Sequence, residues 1–282
     1  MSVDREHTPS VGDTTVDGKQ LLETEWQIDL ENAAITKQLL ESGQLGKRAP
    51  EIYANLGRVV CILTKLASCR WGCRRTDHDV ENLCRRCCNY AFAALNLLRC
   101  GFYDESLCLI RSVAEVVNLM EIFAIDPRRL QRWKTLSEEE RRGDYGPGKV
   151  RKMIEESGKE VAVGKGTYSA LSGLGTHVTP ESIHTSHHDD GRVHVGASFS
   201  VRGFLVILNE LAINLSAAIL FAGYLLKFPK EQINEFREAC NTLRASCNPN
   251  FRPENYQEMM REMQEESSRE VAGNGGAAPP NS

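Results

Sequence analysis

The sequence predicts an all-α protein, an antiparallel helical bundle with extra helices at both ends and a small β-hairpin near residues 184–197. Three observations carry this expectation. Apolar residues recur at spacings of three and four through most of residues 19–267, the period of one helix face. Helix-stopping residues, namely Gly101, Asp126-Pro127 and Pro229, fall between the periodic stretches. Two of those stretches meet so tightly around Gly101 that they must lie side by side and antiparallel.

Residues 1–18 are polar, and residues 268–282 end in GNGGAAPPNS; both segments are expected to be disordered. A single helical domain is expected over 19–267, with its bundle core at about 50–228. Residues 19–42 carry Leu21, Leu22, Ile28, Ala33, Ile35 and Leu39 at helical spacings. A helix over about 50–68 sets Ile52, Leu56, Val59, Val60, Leu63 and Leu66 on one side, and Pro50 suits its first turn. Asp77 or Asp79 is expected to cap the next helix, which runs to about Arg99 and carries Val80, Leu83, Cys87, Ala91, Ala94, Leu95 and Leu98. Gly101 should end it in the left-handed conformation. Asp104 is expected to cap a helix bearing Leu107, Ile110, Ala114, Val117 and Phe123 and closed at Asp126-Pro127. Shorter charged helices follow over 128–158, broken at 143–148, then a glycine-containing helix at 165–178. Asp190-Gly191 marks the hairpin turn, and helices return at 201–228, 230–246 and 253–267.

The net charge of -4 and pI near 6.0 give no global attraction to nucleic acid or anionic lipid. Any such binding must come from a local patch. Residues 2–18 lack the apolar run of a secretory signal, so a cytoplasmic protein is expected. Segment 203–226 is the most apolar, but it carries Asn209, Glu210 and Asn214, which are costly in lipid. It reads as a core helix or a homodimer interface, with no membrane partner. Ten cysteines in a reducing compartment are core residues, metal ligands or reactive thiols.

The segment Cys69-x3-Cys73-x10-Cys84-x2-Cys87, with His78 inside it, offers the thiolates and imidazole that zinc prefers. Against this, Cys87 sits on the apolar face of a helix and the spacing lacks paired Cys-x2-Cys knuckles; the expectation is no cofactor, with zinc as the alternative. Arg70, Arg74, Arg75, Arg85 and Arg86 cluster beside Trp71 and form a candidate phosphate-contacting patch. A solvated helix face is the competing reading. His184, His187, His188 and His194, with Asp189 and Asp190, read as a polar hairpin tip rather than a metal site. The near phosphate-loop over 143–150 places Val150 where Ser or Thr must stand, and the acidic run before it is no strand.

Cys108, Arg111, Glu115 and Asn118 share one face of an otherwise apolar helix. Arg111 and Glu115 can pair, as a structural ion pair or as a polar pocket that holds an anion. In residues 168–177, Ser169, Ser172, Thr176 and His177 could line one side of a helix, although no acid stands near His177 in sequence to orient it.

The runs Leu107-Cys-Leu-Ile-Arg-Ser-Val-Ala-Glu115 and Tyr168-Ser-Ala-Leu-Ser-x4-His177 resemble a bacterial helical family of unknown function. In that family an Arg-Ser-x-x-Glu helix precedes a Tyr-x-x-x-Ser…His segment. The family is similar to the HEPN (higher eukaryotes and prokaryotes nucleotide-binding) superfamily of helical bundles, and the resemblance covers about residues 55–225. It implies that Arg111, Glu115 and His177 converge. It also implies binding of, or action on, RNA or nucleotides, in bacterial stress or phage defence, since many HEPN proteins are metal-independent ribonucleases. Their Arg-x4–6-His signature is absent: Arg74 lies too close ahead of His78, and Arg70 too far. The alternative expectation is a non-catalytic, homo-oligomeric helical scaffold.

Overall fold

The computed structural model describes residues 18–45, 47–70, 72, 73, 77–176, 196, 197 and 199–248. The expected disordered ends, the helix at 253–267, nearly all of the hairpin at 184–197, Trp71, Arg74, Arg75 and His177 lie outside the described residues. Among the described residues α-helix is the one kind of regular structure, with ten helices and no strand. They are α1 (Gly18–Glu41), α2 (Ala49–Ala67), α3 (Asp79–Cys100), α4 (Tyr103–Ile125), α5 (Arg128–Thr135), α6 (Glu138–Tyr145), α7 (Pro147–Glu156), α8 (Lys165–Gly175), α9 (Val201–Leu225) and α10 (Lys230–Cys247).

The α3–α4 pair forms around the two-residue link Gly101-Phe102. Gly101 has φ 92, and the amides of Gly101 and Phe102 close the last turn of α3 onto its own carbonyls. A side chain at that backbone angle would be strained. The chain then turns back, and Ser106 Oγ of α4 donates to the Ala94 carbonyl of α3 at 3.1 Å. The caps differ from expectation. Asp104 lies inside the first turn of α4, whose N-cap is Phe102. His78, in a left-handed conformation, precedes α3, and no side chain caps it. Asp77 and Asp79 instead face Lys134 of α5, at 3.8 and 2.5 Å. An exposed capping bond is exchanged for a tie between distant elements.

Helix α4 is the centre of the molecule, packing against α3, α9, α8 and α7. Its buried residues occupy most of its circumference, from Leu107 through Ile110, Val113, Val117 and Met120 to Phe123. Helix α9 is the second core helix and touches α2, α3, α4 and α10. By length and composition alone α9 could cross a membrane, yet 72% of its most apolar window is buried inside the protein. Of the two roles expected for this segment, the structure gives it the core. Two helices approach it closely at glycines: a Cβ on Gly203 would stand 2.7 Å from the Tyr103 ring, and one on Gly223 2.7 Å from Ile233. Tyr103 Oη also accepts from the Ser200 amide at 3.0 Å, fixing the start of α9 to the start of α4.

The break between α6 and α7 is narrower than the sequence predicts. Helix α6 runs through Gly143 to Tyr145, and only Gly146 separates it from α7. Ser137 caps α6 with a reciprocal capping box to Glu140.

Candidate functional site

The polar face of α4 is covered by α8 and by the segment that leads into it. Helix α8 lies close to α4 because of Gly175: a Cβ there would be 2.8 Å from the Cys108 amide nitrogen and 2.8 Å from Leu107 Cβ. At this approach the Cys108 thiol donates to the Gly175 carbonyl. One turn further along α4, the Arg111 guanidinium meets three partners. Its Nε donates to Ser172 Oγ at 3.0 Å, and its Nη2 donates to Tyr168 Oη at 2.6 Å and lies 3.0 Å from Glu115 Oε1. Tyr168 Oη in turn donates to Glu115 Oε1 at 2.7 Å, which closes a three-membered polar ring. Ser172 Oγ donates to the Tyr168 carbonyl one turn back. Burial first, and then the bond and charge of Glu115, push the Tyr168 phenol up. It therefore remains a protonated donor at neutral pH.

A second cation joins this seam. The Arg151 guanidinium of α7 lies 4.2 Å over the Tyr168 ring, and that of Arg111 lies 5.0 Å from it. Arg151 Nη1 is buried without a hydrogen-bond partner. The polar stripe also runs further than Asn118. Asn118 Nδ2 donates to the Val163 carbonyl at 3.2 Å, and Glu121 Oε2 accepts from the Ala162 amide at 3.0 Å. Burial, aided by the charge of Glu160 and opposed by the Ala162 bond, pushes the Glu121 carboxyl up to about 8. A buried acid in this setting is neutral at pH 7.

The structure thus brings Arg111 and Glu115 together with Tyr168 and Ser172. Ser169 is exposed and does not face α4; this corrects the expected serine lining, because α8 turns Tyr168 and Ser172 inward. His177 follows the last described residue of this segment, so its convergence with Arg111 lies outside the described residues. Sequence reasoning missed Arg151 and Glu121. Glu121 carried a signal, being one further helical step from Asn118 on the same stripe; Arg151 carried none.

The cysteine segment divides. Cys69, Cys73 and His78 come together, with their ligand atoms within 4.8 Å of one another. Cys84 and Cys87 do not join them: both are fully buried on the core face of α3. Burial is the main reason that their thiols are pushed well up, as for cysteines packed in a core. The expected zinc set is corrected by the loss of these two.

Of the arginines in the candidate basic patch, Arg70, Arg85 and Arg86 are described and exposed, with Arg86 over the Tyr90 ring at 5.4 Å. Arg70 borders a largely apolar groove of about 410 Å³ between α2 and α3, with Tyr53, Val60, Phe92 and Arg99. A cleft of about 360 Å³ beside α7 is lined by Arg129, Arg132, Lys149 and Lys152, but Asp144 and Glu156 pair with Arg132 and Lys152 there. Comparison of the chain with protein-family models, curated proteins and solved structures finds no match.

Proposed function

We propose that this chain binds a phosphate-bearing ligand, RNA or a nucleotide, at the seam between α4 and α8. The observation that carries the reading is the pair of guanidinium groups on one tyrosine ring, Arg111 and Arg151, one of which has a donor left over. Glu115, Tyr168 and Ser172 hold Arg111 in a fixed orientation, so little rotamer freedom remains to be lost when an anion arrives. Arg151 supplies the unspent N–H. Phosphate oxygens match such guanidinium donors. The exposed Arg70, Arg85 and Arg86 supply additional charge for a longer strand.

In its catalytic form the reading gives phosphate contact to Arg111, proton transfer to His177 and the orientation of Arg111 to Glu115. Fluorescence anisotropy with labelled single-stranded RNA and with a labelled nucleotide tests the binding form. Arg151→Ala is expected to weaken binding by roughly 10-fold or more, the value of a charge-assisted hydrogen bond, while circular dichroism stays unchanged. Equal affinity of Arg151→Ala and wild type, or no binding by wild type at low salt, sinks the reading. Cleavage that survives both Arg111→Ala and His177→Ala removes its catalytic form.

A second reading, a homo-oligomeric scaffold, rests on α1. Leu22, Trp26 and Leu30 stand four residues apart on that helix and are 71%, 70% and 56% exposed. An apolar stripe of this kind suits a partner helix. A monomeric mass in solution at micromolar concentration would exclude the homo-oligomer.

A further inference from the structure

The turn between α2 and α3 gathers metal-binding side chains well apart in sequence from the α4–α8 seam. Cys69 Sγ lies 3.5 Å from His78 Nδ1, and Cys73 Sγ lies within 4.8 Å of both ligand atoms. A tetrahedral zinc ion with ordinary bond lengths holds a thiolate sulfur and an imidazole nitrogen about 3.6 Å apart. Glu81, in the first turn of α3, provides an independent observation. It is 4% exposed, and neither of its carboxylate oxygens has a hydrogen-bond partner. Its Oε1 is 3.7 Å from the same Nδ1 of His78. A carboxylate and an imidazole on one zinc stand about 3.4 Å apart. Since Glu81 approaches the nitrogen that faces Cys69, it lies on the metal side of the ring rather than behind it.

A buried carboxylate without donors is costly, and a cation among its neighbours removes the cost. The backbone also commits to this corner. Among the described residues three non-glycine positions have positive φ, and two of them are Cys69 (φ 53) and His78 (φ 50). These are left-handed conformations that side-chain-bearing residues rarely adopt.

We propose that Cys69, Cys73, His78 and Glu81 form a Zn²⁺ site that joins the end of α2 to the first turn of α3. Two soft thiolates, an imidazole and a carboxylate select zinc over magnesium or calcium. Four protein ligands leave no open position, so the ion is structural. Binding releases the thiol protons of Cys69 and Cys73 to solvent and leaves one net negative charge on the centre. The exposed Arg70 and Arg85 stand on either side of this turn in sequence. The site is independent of the ligand reading at the α4–α8 seam, and either can fail without the other.

The test uses the full chain, expressed with zinc in the medium and purified with a reductant and no chelator. Mass spectrometric metal analysis after dialysis should find about one zinc per chain. The Cys69→Ser/Cys73→Ser variant should retain none, with its helical circular dichroism preserved. Cobalt added to metal-free wild type should give a thiolate charge-transfer band that this variant lacks. Glu81→Gln should weaken zinc affinity by at least about tenfold. Three results overturn the proposal: wild type that neither retains zinc nor develops the cobalt band, zinc retained equally by the double variant, or unchanged affinity in Glu81→Gln.

Discussion

At the α4–α8 seam, Arg111, Glu115, Tyr168 and Ser172 all find partners inside the chain, and Glu121 accepts a backbone amide. At the α2–α3 turn, Glu81 is as deeply buried, yet both of its oxygens lack a hydrogen-bond partner, and the groups gathered near it are thiols and an imidazole. The same chain therefore buries carboxylates in two ways. Where the protein supplies the donors, the carboxylate fixes the fold, and removing a partner leaves a charge stranded. Where the protein supplies only further acceptors and soft ligands, the arrangement lacks a positive centre, and the side chain is a cost until one arrives. Burial alone does not separate the two; the list of partners does.

Three substitutions test that contrast. The largest effect is expected at Glu121. Its folded value of about 8 lies above the ordinary 4.5, so the fold favours the neutral acid. The stability it contributes is complete below about pH 4.5 and is lost as pH rises through about 8. The difference corresponds to roughly 5 kcal/mol at the extremes. Melting temperature measured from about pH 5 to about pH 9 should fall in wild type, and the fall should be smaller in Glu121→Gln, which retains an acceptor for the Ala162 amide. Identical profiles would show that Glu121 ionises freely in the fold.

The second effect is at Arg111. Arg111→Ala leaves Glu115 with the Tyr168 hydroxyl in place of its cation and removes two hydrogen bonds. Because both partners keep some solvent, the loss should be about 2 kcal/mol in urea denaturation, short of the cost of breaking a fully buried pair. A loss below about 0.5 kcal/mol would put the seam in the class of exposed ion pairs, which contribute little. The smallest effect, and the opposite sign, belongs to Glu81. In metal-free protein, Glu81→Gln removes a buried carboxylate that has no hydrogen-bond partner and should leave stability unchanged or raise it by about 1 kcal/mol. A marked loss would mean that the carboxylate already has a partner in the chain, and the contrast between the two regions would collapse.

Much of this was legible in the sequence, and for specific reasons. The helices at 79–100 and 103–125 follow from period and from Gly101, because one glycine with positive φ and one Asp-Pro step leave the chain few alternatives. The Arg111–Glu115 pairing follows from helix geometry alone. What was not legible depends on elements distant in sequence. Arg151 reaches Tyr168 only because α7 and α8 both lie on α4. The glycines in α8 read as weakness in a helix, whereas Gly175 marks where two backbones touch. The cysteine segment read as one metal-binding run because spacing does not reveal which side of α3 is packed. The core takes Cys84 and Cys87, and only the residues ahead of that helix remain free to meet.

The link Gly101-Phe102 has a consequence in time as well as in space. It is two residues long, so bringing α3 against α4 sacrifices little loop entropy, and the contact buries the central helix of the molecule at once. The opposite extreme is the bond from Arg48 Nη2 to the Ala245 carbonyl, which spans 197 residues. Local pairs form faster than distant ones. The α3–α4 hairpin is thus expected to form before α10 takes its seat on α2.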